Sequence, residues 1–148
     1  MKRLLAVLVV GIAAGCSSSG GDGAGSSGVD APCGDLDTVV VDGTLGGKAI
    51  RETGKLSGYA FVNLGKPSKF DGSWAGGSMH LEWPTTLASG QTTDLQTGSL
   101  TLASTPDPRV FQRGTMVYDS PFQGTESTLK SSLTFDTGTV TVCIHRSK

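Results

Sequence analysis

The chain has 148 residues, of which 36% are hydrophobic and 17% charged, and its formal net charge at pH 7 is −1. That balance lacks the basic excess nucleic-acid binding requires, so nucleic acid is excluded as a partner. Once the N-terminal segment is set aside, the remaining length suits one domain with one core and is too short for two.

Residues 1 to 15 begin with Lys2 and Arg3, continue through an apolar run from Leu4 to Ala14 and end in small residues, the order of a secretory signal peptide. The run falls short of the roughly 20 residues a membrane-spanning helix needs, so cleavage is expected rather than a permanent span. The segment closes on "AAGC", Ala13 to Cys16, with Ile12 before it and "SSSGG" after it. This resembles the lipobox of bacterial lipoprotein precursors, although Ala13 stands where leucine is commonest. The resemblance covers about the first thirty residues. It implies that Cys16 is the lipid attachment site, modified with diacylglycerol and acylated (palmitate) on its new amine after cleavage. Several acyl chains on one residue anchor stably, whereas a single chain is marginal. Ser17 rather than aspartate follows the cysteine, which by the sorting rule of enteric bacteria implies the outer membrane.

Ser17 to Asp30 is rich in glycine and serine and carries one apolar side chain of size, Val29. Such a segment is a flexible tether with an average span of about 20 Å. The expected organisation is therefore a signal peptide at 1–15, a lipidated cysteine and tether at 16–32, and a β domain at 33–148. Cleavage removes two of the twelve basic residues, leaving ten against thirteen acidic ones and a net charge of about −3.

Cys33 and Cys143 remain, near the two ends of the domain. Export to an oxidising compartment favours a disulfide between them, and in the chain-entropy model a loop of about 110 residues makes that bond worth up to about 4 to 5 kcal/mol. The rival reading is two free thiols, one of them reactive.

Glycine accounts for 22 residues, and serine and threonine separate short β-branched and aromatic runs; no window beyond residue 30 sustains a capped helical period. Strands are expected at 37–41, 45–51, 57–63, 69–75, 78–83, 98–104, 114–118, 127–135 and 139–145. That spacing suggests an all-β, single antiparallel β-sandwich, with a small β-barrel as the alternative. Asp42-Gly43 is expected as the turn of the first hairpin. Gly76-Gly77 is expected to set Trp74 opposite Met79, Gly72 opposite Leu81 and Phe70 opposite Trp83, with all five large side chains on one face. In the last hairpin, a register pairing Phe135 with Val140 and Leu133 with Val142 keeps the apolar residues together, whereas a slip of one residue would divide them. Cys143 then points away from the core face, and its disulfide would clip the N-terminal segment over the outer surface or edge of the last strand. Tyr59 and Phe61 alternate with Ala60 and Val62, so that strand is expected to be buried on both sides. The stretches 84–97 and 104–113 read as loops, the second because of "TPDPR".

The Gly76-Gly77 register also places Asp71 opposite Glu82 and Ser73 opposite His80. Facing carboxylates repel unless a cation lies between them, so Asp71, Glu82 and His80 are the candidate metal ligands, for calcium through the carboxylates or zinc with the imidazole added. A sharper reading makes Ser73 and His80 members of a hydrolytic trio. The plainer one is a solvated outer face softened by Lys69, and it is preferred. Signatures for nucleophile elbows, zinc-protease helices, phosphate loops and dinucleotide binding are missing. Asp35 and Asp37 lack the following residues of a calcium loop, and His145 reads as a surface residue. Trp74 and Trp83 are candidates for stacking on a sugar, but their shared face reads more simply as core. No catalytic residue and no cofactor is assigned. The expected function is a non-enzymatic binding or structural module of the cell envelope, held to the membrane by lipid and facing an envelope protein or glycan. A divalent-cation or carbohydrate-binding module is the alternative, with a hydrolase behind both.

Overall fold

Alternating β-branched and aromatic residues build ten strands in the computed structural model, which describes residues 33–64 and 67–148. The signal segment 1–15, Cys16 and the tether to residue 32 lie outside the described residues. In chain order the strands are β1 (Thr38–Leu45), β2 (Lys48–Val62), β3 (Ser68–Trp74), β4 (Gly77–Trp83), β5 (Thr92–Asp94), β6 (Thr97–Leu102), β7 (Thr105–Val110), β8 (Arg113–Asp119), β9 (Glu126–Phe135) and β10 (Gly138–Ser147). All pair antiparallel in a single sheet of order β5-β8-β9-β10-β1-β2-β3-β4-β6-β7. The sheet curls into a half-barrel. The all-β, antiparallel expectation therefore holds, and the two packings weighed from sequence meet in one object: a sheet folded on itself, with two halves that face each other as sandwich layers do.

The fifteen-residue β2 is the strand that turns the corner. Its first half pairs with β1 and its second with β3, and the register shifts between Leu56 and Gly58. An extra residue in one strand bends it and exchanges its inward and outward faces. Before the shift Ile50 and Leu56 turn inward; after it Tyr59 and Phe61 do. Ala60 and Val62 are exposed, which corrects the expectation that this strand is buried on both sides.

The core comes from the inward rows of both halves. Val39, Val41, Leu129, Leu133, Val140, Val142 and Ile144 from β1, β9 and β10 meet Phe70, Met79, Leu81, Trp83, Leu100 and Leu102 from β3, β4 and β6. Ser131 of β9 hydrogen-bonds Met79 Sδ of β4 at 3.7 Å, which ties the two layers across the middle. Full burial of a side chain of this size contributes about 1.5–3 kcal/mol, so this one cluster is the main source of stability.

Turns differ from expectation in position while the faces stay the same. The first hairpin turns at Gly46-Gly47, with φ of +58° and +74°, and β1 continues through Asp42-Gly43 to Leu45. Two positive φ values suit the right-handed strand twist, and glycine reaches them without penalty. In the β3–β4 hairpin the loop is Ala75-Gly76, so Trp74 faces Gly77, Gly72 faces Met79 and Phe70 faces Leu81. The β9–β10 loop is Asp136-Thr137, with Phe135 opposite Gly138 and Leu133 opposite Val140. Each pairing is displaced by two residues from the expected one, and a displacement of two preserves which side chains point inward.

Two strands lie where loops were expected. β5 has only three residues, and β7 contains Pro106 and Pro108. Both are the outermost strands of the sheet. Proline cannot donate to a ladder and is tolerated at such an edge.

Cys33 and Cys143 form a disulfide with their Cα atoms 5.0 Å apart. Cys143 lies on the outer face of β10, between Val40 of β1 and Lys130 of β9. The clip therefore crosses the outer surface, as the register argument implied. β10 is an interior strand of the sheet, so the clip does not guard an edge.

Candidate functional site

His80 stands in the middle of the polar outer face of β4, and its neighbours follow from the register. Asp71 on β3 lies directly across from it, and Glu82 is two residues along its own strand on the same side. His80 Nδ1 is 2.6 Å from Asp71 Oδ1, and Nε2 is 3.2 Å from Glu82 Oε1. The three candidate metal ligands are thus brought together, but with the imidazole bridging the two acids. Asp71 is not paired with Glu82, whose partner across the ladder is Lys69.

Partial burial pulls the His80 pKa down, but the hydrogen bonds to Asp71 and Glu82, reinforced by their charges, outweigh it and leave the pKa raised. When the ring is protonated it donates from both nitrogens and itself supplies the positive charge between the two acids. A zinc ion sits about 2.0–2.1 Å from each donor atom, which would keep an imidazole nitrogen and a carboxylate oxygen roughly 3 Å or more apart. The 2.6 Å contact has room for a proton and none for such an ion. Among the described residues no group of three or more His, Cys, Asp and Glu has the arrangement of a metal site.

Ser73 does not join this trio. It faces Ser78 across the ladder, and its carbonyl accepts a 3.0 Å hydrogen bond from Ser57 Oγ. With both His80 nitrogens engaged by carboxylates, no ring nitrogen is left to draw a proton from a serine, so the Ser73–His80 pairing weighed as the less favoured alternative is not formed. The shallow depression beside His80, about 400 Å³, is bordered by Gly58, Gly72, Ser73, Ser78 and Ser99.

Trp74 and Trp83 are 4% and 0% exposed, and both belong to the core, with no face open to a sugar. His145 Nδ1 lies 3.1 Å from the Gly34 carbonyl oxygen and Nε2 2.7 Å from Glu126 Oε2, both of them acceptors to which the ring donates. Those contacts raise its pKa, the Gly34 hydrogen bond most. Asp37 accepts from the backbone N–H of Ser147, which lowers its own pKa. Both residues thus fasten the start of β1 to the end of β10, and neither is arranged around a ligand.

A second cluster escaped the sequence reading. At the rim where the two layers of the curl meet, Phe61 stacks on Tyr118 at 4.3 Å, Tyr59 meets Phe70 edge-on at 5.4 Å, and the Arg146 guanidinium lies 3.9 Å over the Tyr59 ring. Burial pushes the Tyr59 hydroxyl up to about 12. The loops next to this seam are bound together: Asn63 exchanges two 2.9 Å hydrogen bonds with Leu87, and Ser89 bonds both Asp119 and the N–H of Ser120. Tyr59 and Phe61 were visible as strand residues; that β8 would bring Tyr118 against them follows only from the curl.

Comparison of the chain with protein-family models, with curated proteins and with solved structures finds no match.

Proposed function

We propose that this chain is a membrane-anchored lipoprotein precursor whose β domain serves as a non-enzymatic binding or structural module of the cell envelope. The observation that carries the reading is the succession at the N-terminus: Lys2-Arg3, an apolar run, "AAGC", then fourteen residues dominated by serine and glycine. Each part has one use in that order, namely export, processing, lipid attachment and reach. The domain adds support of a different kind. Its largest aromatic side chains are spent on the core, and its most polar cluster is a histidine with both ring nitrogens held by carboxylates rather than a group poised to react.

Expression of the full chain in a lipoprotein-processing bacterium with labelled palmitate tests the reading. We expect label on a mature chain beginning at Cys16 and partition into the detergent phase, both abolished by Cys16→Ser. Equal membrane partition of Cys16→Ser would overturn it. Protease shaving of intact cells then separates a surface position from a periplasmic one through release of peptides from 84–97 and 104–113.

A further inference from the structure

Phe122 and Leu64 are 99% and 91% exposed, an unusual position for large apolar side chains in a domain with a well-filled core. Of the five large hydrophobic residues exposed among the described residues, four (Leu36, Val62, Leu64 and Phe122) lie around one rim, and the fifth, Val110, is on edge strand β7. The rim is a built structure. The Phe61–Tyr118 stack and the Asn63–Leu87 and Ser89–Ser120 hydrogen bonds join the loop that carries Leu64 to the one that carries Phe122. Phe122 itself is presented by a closed turn, with Gly124 N–H donating to the Pro121 carbonyl at 3.0 Å. Lys148 braces that turn, its N–H donating to the Thr125 carbonyl and its ammonium to the Pro121 carbonyl. The turns at the far side are Gly46-Gly47, Ala75-Gly76, Ala103-Ser104 and Asp136-Thr137, with no large apolar residue among them.

We propose that this rim is a lipid-facing surface, and that Phe122 and Leu64 enter the interfacial layer of the bilayer to which the chain is tethered. The inference rests on the lipid-anchor reading and names what the domain does once anchored. The described chain begins at Cys33, bonded to Cys143 on the outer face of β10, and the length of chain before it argues for lipid over a protein partner. The Gly34 carbonyl, one residue beyond Cys33, contacts His145, which is itself joined to Glu126 at the start of β9 on the same rim. Cys16 lies seventeen residues before Cys33, a span averaging roughly 20–25 Å for a flexible chain. A tether of that length would let the rim, with its apolar tips and the Lys148 ammonium, reach headgroups, so that a weak interfacial preference would suffice to orient the domain. Asp35 and Asp119 on the same rim keep the entry shallow.

The test couples residues 16–148, which contain every described strand and the whole core, to maleimide lipid in phosphatidylethanolamine/phosphatidylglycerol vesicles. With Cys33 and Cys143 joined, Cys16 is the one free thiol. In a Phe122→Trp variant we expect a blue shift and loss of emission with acyl-brominated lipid relative to unbrominated lipid. A Thr137→Trp variant on the far side should show neither, and Trp74 and Trp83, being buried, supply a constant background. Phe122→Trp emission indifferent to bromine, or equal quenching at both positions, would overturn the proposal. Because coupling is chemical, this result is independent of whether Cys16 is lipidated in cells, and the Cys16→Ser labelling experiment is independent of this one.

Discussion

His80 bridges two carboxylates through opposite ring nitrogens, and its charge state decides how many of those contacts carry full strength. Its pKa in the folded protein is raised, so its contribution to stability is fully present below the unfolded value near 6.5 and is lost as pH rises through the raised folded one. We expect the melting temperature of the protein to exceed that of His80→Gln at pH 5.5, with the gap closing by pH 8.5. His145 titrates in both proteins and cancels from that difference. A gap unchanged with pH would mean that the ring bridges in its neutral form. The residue types of this cluster were legible in the sequence, and its geometry was not. Period-two patterning fixes which side chains share a face but is blind to a displacement of two residues, and it was the choice between Gly76-Gly77 and Ala75-Gly76 as the loop that decided whether Asp71 met Glu82 or His80.

At the scale of elements, the disulfide is the covalent link between the first described residue and the second-to-last stretch of β10, spanning 110 positions. It constrains the unfolded chain far more than the folded one, where β1 and β10 are already paired. Cys33→Ala with Cys143→Ala should therefore lower unfolding stability by about 2–4 kcal/mol in urea titrations while leaving the far-ultraviolet spectrum unchanged. A loss below about 0.5 kcal/mol, within the scatter of ordinary surface substitutions, would show that the unfolded chain is compact without the bond. Most strands could be read from alternation, since β9 keeps strict in–out order over its ten residues and β10 does so from Gly138 to Ile144. β2 could not, because the shift near Ser57 swaps its faces midway and makes one strand resemble two. β7 was hidden for a related reason: prolines argue against an interior strand and are silent about an outermost one.

For the molecule as a whole, one core fills the space between both layers of the curl, so the layers should not unfold apart. Chemical denaturation followed by tryptophan emission, which reports Trp74 and Trp83 in the β3–β4 layer, should superimpose on far-ultraviolet circular dichroism, which reports all ten strands. Separate midpoints would assign independent stability to the β8–β9–β10–β1 layer. The core was legible because burial leaves a periodic mark on sequence. The rim was not, because Leu64 and Phe122 sit in loops where no period applies, and only the fold shows that two loops some sixty residues apart are neighbours.

The outermost strands carry a last implication. A chain anchored on a bilayer diffuses in two dimensions, where copies meet far more often than in solution and in nearly the same orientation each time. An open sheet would then be an invitation to lateral polymerisation, each copy offering its unpaired ladder to the next. A three-residue β5 on one side and a proline-bearing β7 on the other leave little ladder to offer. In the proposed anchored form, these two strands, both read as loops in the sequence, would limit ladder pairing between neighbouring copies.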